Sequence, residues 1–372
     1  MERKLEPRAE WQIAFWITAA LRLFYSAFAA LAAVFLHPDP ALVRSNVLTG
    51  NLPNPSGWHY ALLGVWQRFD TLWYLNIAER GYDHPAGVVF YPLYPLLIRI
   101  VALATGQPAA ALLISTLAAF FFFWGLLRLA RSEVAAPAAL RIVILAAVWP
   151  ASFYFFAGYT EALAVALMVW AVVWARDERW LLATACALAA GLTRSAGSLL
   201  IVPLLILALR ARGTARWFVT LSPLGTLAYW FWLHHTGRLS VVTAYRTYWN
   251  TQVATPWTTL SVAIRSLAGH FNLLVAISLV ALVFFAAAGV IARRRLEDRF
   301  FSAAVIVHLL LRLCWPPLLG SPRYLLPVYP AYLTIGERAV TMERTRFAFL
   351  CAALFTFNLA WMWAFLSWSL VL

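Results

Sequence analysis

One stretch of the chain concentrates groups able to do chemistry. Residues 66–94 read WQRFDTLWYLNIAERGYDHPAGVVFYPLY, and Asp70 stands there between Phe69 and Trp73, with Arg68 two residues before it. A carboxylate set among aromatic rings is partly desolvated, and a nearby guanidinium tunes its basicity. Such a group can take a proton from an attacking hydroxyl. Asp70 also precedes TLWYLNIAER, a short helix by pattern, so it can equally serve as that helix's N-cap. The two roles are compatible, because a cap position holds its carboxylate rigidly.

The elements that must position this stretch are set by composition. Of 372 residues, 63% are hydrophobic, 16% aromatic and only 12% charged, against about a quarter charged in soluble domains. That excludes a disordered chain, a disulfide scaffold and an ordinary cytosolic enzyme, and indicates a polytopic membrane protein. The net charge of +14 does not indicate nucleic acid, because the basic residues fall in small clusters between apolar runs. Cys186, Cys314 and Cys351 lie in separate apolar runs with no metal-ligand spacing, and are expected to pack as small hydrophobes.

A membrane-crossing helix needs roughly 20 apolar residues. The candidate spans are 11–36, 109–129, 140–157, 161–176, 180–194, 197–209, 216–235, 272–292, 299–314, 323–338 and 347–371. The first follows a basic tail but is too long for a signal sequence and lacks a cleavage site after it. With the N-terminus inside, segments 1–10, 128–141, 176–180, 210–216, 293–299 and 338–346 hold 3, 3, 2, 3, 4 and 3 of the 29 basic residues. About 11 spans, N-terminus in and C-terminus out, then satisfy the positive-inside rule. Residues 90–105 are left out of the count: they hold Pro92, Pro95 and Arg99, and including them would invert every later cluster. They are expected to lie as an amphipathic helix at the outer interface. Residues 37–108 form a large first extracytoplasmic loop, 236–271 a second, and the whole chain, 1–372, is expected to be one integral-membrane domain.

This topology leaves five acids on the outer side: Asp39, Asp70, Glu79, Asp83 and Glu161. Glu161 is the rival to Asp70, since it also begins a helix facing outward. Outer-facing Arg194 and Arg323 are candidates for holding an anion, with Arg238 and Arg246 behind them; the alternative for each is a headgroup contact or a carbonyl-bonded helix end. His234 and His235 are adjacent and so do not face one another on a helix, and a structural role is expected for them and for His308. Trp66, Trp73, Trp249 and Trp257 lie in outer loops, whereas most of the tryptophans sit near span ends as an interfacial belt; these four can instead offer a ring face to a ligand.

The stretch at 66–94 resembles the PIG-V-like mannosyltransferases of the GT-C glycosyltransferase superfamily. Their pattern is matched by Trp66, Arg68, Phe69, Asp70, Trp73, Tyr74, Ile77, Ala78, Gly81 and Tyr82. It continues through Phe90, Tyr91, Pro92, Leu93, Tyr94, Pro95, Ile98 and Arg99. Later pieces follow in order: Gly158, Tyr159, Thr160 and Glu161; Leu192, Thr193, Arg194, Ser195, Ala196 and Gly197; Pro322, Arg323, Tyr324, Leu325, Leu326 and Pro327. The resemblance covers about residues 11–338, and the match at Asp83 and His84 is loose.

The resemblance implies an all-α, GT-C-like membrane enzyme and an inverting transfer, most specifically of mannose. The donor would be a sugar on a polyprenyl (dolichyl-type) phosphate, handled on the extracytoplasmic or luminal face. The acceptor would be a hydroxyl of a lipid-linked or envelope glycan. Asp70 is the expected catalytic base. Arg68, Trp73, Tyr74, Tyr82, Tyr91, Tyr94, Glu161, Arg194, Arg323 and Tyr324 are the expected donor- and substrate-binding set. No cofactor is required: a divalent metal is not demanded by a monophosphate leaving group, although Glu161 leaves that open. Membrane lipid is an expected partner and nucleic acid is not. The competing reading is a transporter or lipid flippase whose outer acids bind ions or protons; absent internal repeats count against it. A third is a scaffold subunit of an envelope-assembly complex.

Overall fold

The computed structural model describes residues 7–36, 43, 57–269, 272–295 and 341–369. Between 306 and 339 it describes 306, 308–316, 318, 320–326, 328, 332, 333, 336 and 339. Asp39, Ser56 and Pro327, and half of each of the runs 299–314 and 323–338, therefore lie outside the described residues. The helices, in order, are α1 (Pro7–Phe35), α2 (Gly57–Leu62), α3 (Asp70–Arg80), α4 (Leu93–Thr105), α5 (Gln107–Glu133), α6 (Ala136–Ala147), α7 (Glu161–Arg176) and α8 (Trp180–Thr193). They continue with α9 (Ile201–Arg210), α10 (Leu224–His235), α11 (Val241–Tyr248), α12 (Pro256–Gly269), α13 (Leu273–Arg295), α14 (Ser321–Tyr324) and α15 (Arg344–Leu366). No strand occurs among the described residues.

Three helices among them are long and apolar enough to cross a membrane: Glu10–Phe35 within α1, then α5 and α15. All three combine a long, mostly apolar run with good helix formers and no internal proline beyond the first turn. Other apolar runs are broken where the backbone chemistry dictates. The run 140–157 is helical only to Ala147 and resumes as a 3-10 turn at Ser152–Phe155. Pro150 lacks an N–H and disfavours helical geometry at Trp149. The run 216–235 divides likewise into a 3-10 segment, Ala215–Leu221, and α10, on either side of Ser222 and Pro223.

The chain divides into two compact units. The first contains Met1–Asp83, Pro92–Ala166 and Val340–Leu372. In it α1 packs along α5, α4 folds back against α3 and α5, and α15 lies against α1. A buried polar knot ties α1 to α15: Tyr25 donates to Asn358 Oδ1 at 3.0 Å, and Asn358 Nδ2 donates to the Trp149 carbonyl at 2.7 Å and to Ser152 Oγ at 3.0 Å. Satisfied side-chain networks of this kind fix which helix faces meet.

The second unit contains His84–Tyr91 and Leu167–Ala339. In it α8 packs closely on α10 and on the 3-10 segment Ser195–Leu200. Glycine permits that approach: a Cβ at Gly225 would collide with the Leu188 carbonyl, and one at Gly191 would stand 3.1 Å from the Thr226 nitrogen.

Candidate functional site

Asp70 is the first residue of α3, and the cap position falls on Phe69, which makes no side-chain cap bond. The N-cap expected at Asp70 is thereby shifted by one residue. The amides of the first turn are satisfied otherwise. The Thr71 N–H donates to the Arg68 carbonyl and the Leu72 N–H to the Phe69 carbonyl, each at 3.0 Å. The Asp70 N–H donates to the Tyr159 hydroxyl at 3.3 Å, and that hydroxyl donates to the Arg68 carbonyl at 3.4 Å. Asp70 in the first turn and Arg80 in the last both complement the helix dipole.

The turn is strained. Phe69 has φ 46° and ψ −117°, where a side chain costs of order 1–3 kcal/mol. Its ring is held against Phe365 at 5.8 Å and Trp368 at 5.0 Å between centroids. Arg68 secures the other side. Its guanidinium donates to the carbonyls of Leu366 (2.9 Å), Gly64 (3.3 Å) and Gln67 (3.3 Å) and to the Tyr60 hydroxyl (2.8 Å), and it lies 4.9 Å over the Trp368 ring. At 1% exposure, Arg68 holds the turn from inside, and its donors engage the protein's own oxygens. Burial pushes the guanidinium pKa down, and the neighbouring Tyr60 opposes that shift.

The segments 68–74, 94 and 158–161, far apart in sequence, meet in this unit. The Tyr74 hydroxyl bonds Thr160 Oγ1 at 3.2 Å, and its ring stands edge-on to Tyr94 at 5.1 Å. Tyr94 Oη donates to the Ala111 carbonyl at 3.0 Å and pairs with Ser115 Oγ at 2.8 Å; Ser115 also donates to the Tyr159 carbonyl at 3.2 Å. Gly158 allows the close fit, since a Cβ there would stand 2.7 Å from Thr71 Cγ2. Glu161 begins α7 and is 1% exposed. Burial, then the charge of Glu161, raises the Tyr94 pKa and keeps the phenol neutral.

Asp70 itself is half-buried, as is Tyr82 just beyond Gly81. Gly81 ends α3 at φ 76°, a conformation that favours glycine. Glu79 is exposed, and Asp83 accepts from Asn76 Nδ2 at 2.9 Å. Trp66 and Trp73 are buried, Trp66 beneath the Arg22 guanidinium at 5.0 Å, so neither offers a face to a ligand as expected from their loop positions. Trp249 is half-buried and Trp257 exposed.

The second unit gathers the remaining candidates. The Tyr91 hydroxyl accepts from Trp230 Nε1 at 2.9 Å and bonds the Ser195 side chain. Burial raises its pKa to about 12. Next to Ser195, Arg194 ends α8 and reaches the Tyr324 ring, 5.5 Å from its centroid. Arg323 lies 5.2 Å and Arg312 5.0 Å from the same centroid. Three guanidinium groups thus surround one tyrosine that is 39% exposed, while Arg323 is only 3% exposed. Arg312 belongs to none of the sequence motifs; a lone arginine inside the apolar run HLLLRLCW was its only signal. Of the other cations, Arg238 covers Trp232 at 5.3 Å and Arg246 is exposed. Among the described residues no three His, Cys, Asp or Glu side chains are grouped so as to hold a metal.

Gly197 is what lets Arg194 take its place. A Cβ there would collide with the Ala190 carbonyl and the Gly191 nitrogen, main-chain atoms of α8 that have little room to move. Gly197→Ala is expected to destabilise the protein by about 1–3 kcal/mol, the usual cost of overpacking. Thermal unfolding in detergent measures it; an unchanged midpoint would show that the turn yields freely.

Fold and composition define an all-α protein with helices suited to crossing a membrane. No protein-family model matches the chain, and no curated protein matches it.

Proposed function

We propose that the protein is an inverting glycosyltransferase, specifically a mannosyltransferase, that moves a sugar from a polyprenyl-phosphate donor to a hydroxyl of a lipid-linked or envelope glycan. The observation that carries the reading is the turn at residues 68–70. A strained, many-sided clamp presents a half-buried carboxylate at a helix start, and strain of this kind clusters at functional sites. The acceptor hydroxyl attacks the anomeric carbon in line, and Asp70 takes its proton as general base. The phosphate leaves as an anion, with Arg194 and Arg323 offsetting its charge through bidentate hydrogen bonds. Arg68 and Tyr159 hold the base in place.

The reading carries the topology with it: about 11 spans, N-terminus inside, and the chemistry on the extracytoplasmic or luminal side. Single cysteines at Ser56 and Thr341, in a cysteine-free background, are expected to differ in reach. A membrane-impermeant thiol reagent applied to intact cells should modify the first and spare the second; labelling at 341 would break the topology. Function is tested by incubating purified protein with polyprenyl-phosphate mannose and a membrane glycolipid extract, followed by mass spectrometry. A hexose added to a lipid supports the reading. Ion or lipid transport in vesicles with no sugar transferred would replace it with a transporter.

A further inference from the structure

The chain carries no acidic residue between Glu178 and Glu297, and within that stretch a cavity of about 280 Å³ opens where α10 ends and α11 begins. We infer that this cavity seats the phosphate of an anionic phospholipid, whose chains lie along α10. The inference stands apart from the transferase reading and needs only that α10 face lipid. It would hold equally in a transporter.

The turn that makes the cavity follows from its residues. Helix α10 closes in a Schellman motif: the Arg238 N–H donates to the Leu233 carbonyl at 2.9 Å and the Gly237 N–H to the His234 carbonyl at 3.1 Å, with Gly237 at φ 66°. Ser240 then caps α11 by accepting from the Thr243 N–H at 3.1 Å. The reversal brings Arg238 and Ser240 over the face of α10 that carries Trp230, Leu233 and His234, residues spaced to share one side of a helix. Leu233 and Val241 are buried and form an apolar floor. Trp230 is a fixed wall, since its Nε1 donates to the Tyr91 hydroxyl at 2.9 Å. The polar lining residues, His234, Arg238 and Ser240, are the exposed ones, so a dry floor has a polar, cationic mouth. The volume lies just under the roughly 300–1,000 Å³ usual for a small-molecule pocket, which suits a headgroup and the first carbons of a chain rather than a whole lipid. The rest of the chain has a track, because Leu224, Leu227 and Phe231 stand exposed on α10 at helical spacing. One guanidinium fork and one imidazole match the single charge and paired oxygens of a phosphodiester.

The test uses the full chain in non-ionic detergent, with native mass spectrometry counting retained phosphatidylglycerol and phosphatidylcholine of identical chains. The parent protein is expected to retain the anionic lipid over the zwitterionic one by about fivefold, the usual worth of one arginine at a lipid surface. Arg238→Gln, at an exposed turn position, should erase that preference and leave phosphatidylcholine unchanged. Arg246→Gln should keep it, because Arg246 is as exposed but lies outside the cavity lining. Val242→Trp, at a half-exposed residue of the lining, should fill the cavity and lower retention of both lipids. Equal losses in Arg238→Gln and Arg246→Gln would reveal diffuse surface charge and overturn the seat. Parental preference in Arg238→Gln, or parental retention in Val242→Trp, overturns it as well. Dodecyl phosphate held through Arg238 where phosphatidylglycerol is not would give the cavity to a phosphate monoester and remove the phospholipid.

Discussion

Asp70→Asn is expected to fold like the parent protein and to lose about 10²–10⁴-fold in turnover, the usual worth of a general base. The substitution keeps the side chain's size. It leaves untouched the main-chain bonds that form the turn, because the Asp70 contribution there is its N–H to Tyr159 and the cap position belongs to Phe69. Its structural cost includes a weaker charge–dipole interaction at the start of α3, about 0.3–1 kcal/mol. Donor affinity should barely change, since in the proposed reaction the carboxylate acts on the acceptor's proton. Glu161→Gln is the companion measurement. Glu161 is buried against Tyr94 surroundings, so its amide is expected to alter stability more than turnover. Near-parental turnover in Asp70→Asn beside a dead Glu161→Gln would move the base to the other helix start.

Arg323→Ala should weaken donor binding by about 1.5–3 kcal/mol, the range for hydrogen bonds to a charged group, or about 10–150-fold in dissociation constant. Arg194→Ala should act in the same direction. Arg194 is only half-buried at the end of α8, so its removal opens no core cavity. Weaker donor binding with little change in unfolding temperature is therefore the expected signature of Arg194→Ala. The readouts are donor titration and thermal unfolding on the same preparation. A variant whose affinity for the lipid donor is unchanged has no part in the site.

Some of this was legible in the residues because it depends on neighbours in sequence. Apolar run length and helix formers announced α1, α5 and α15, and the pattern TLWYLNIAER announced α3. What escaped depends on partners far along the chain. Nothing near Phe69 signals a positive φ, since no glycine stands there; the strain is held by Tyr159, Phe365 and Trp368. Arg68 joined the expected binding set through its motif, and nothing in that motif points to the Leu366 carbonyl that engages it. Trp66 and Trp73 read as available for stacking because they lie in a loop between apolar runs. Arg312 matched no motif, and only the common ring of Tyr324 groups it with Arg194 and Arg323. The breaks near Pro150 and Pro223 were visible as prolines, but hydropathy alone passed over them.

The clamp on Arg68 sets a schedule for synthesis. The Leu366 carbonyl that receives its Nε lies 298 residues downstream. At roughly 5–20 residues per second, a ribosome needs about 15–60 s to deliver it. For that interval the turn before Asp70 lacks both the carbonyl and the Trp368 ring that hold it, and a guanidinium meant for the interior stands without its permanent neighbours. The chain must carry that arginine through insertion in water or among lipid headgroups. The turn before Asp70 closes only after α15 has docked, so its strained geometry forms late, well after the residues that make it have been synthesised.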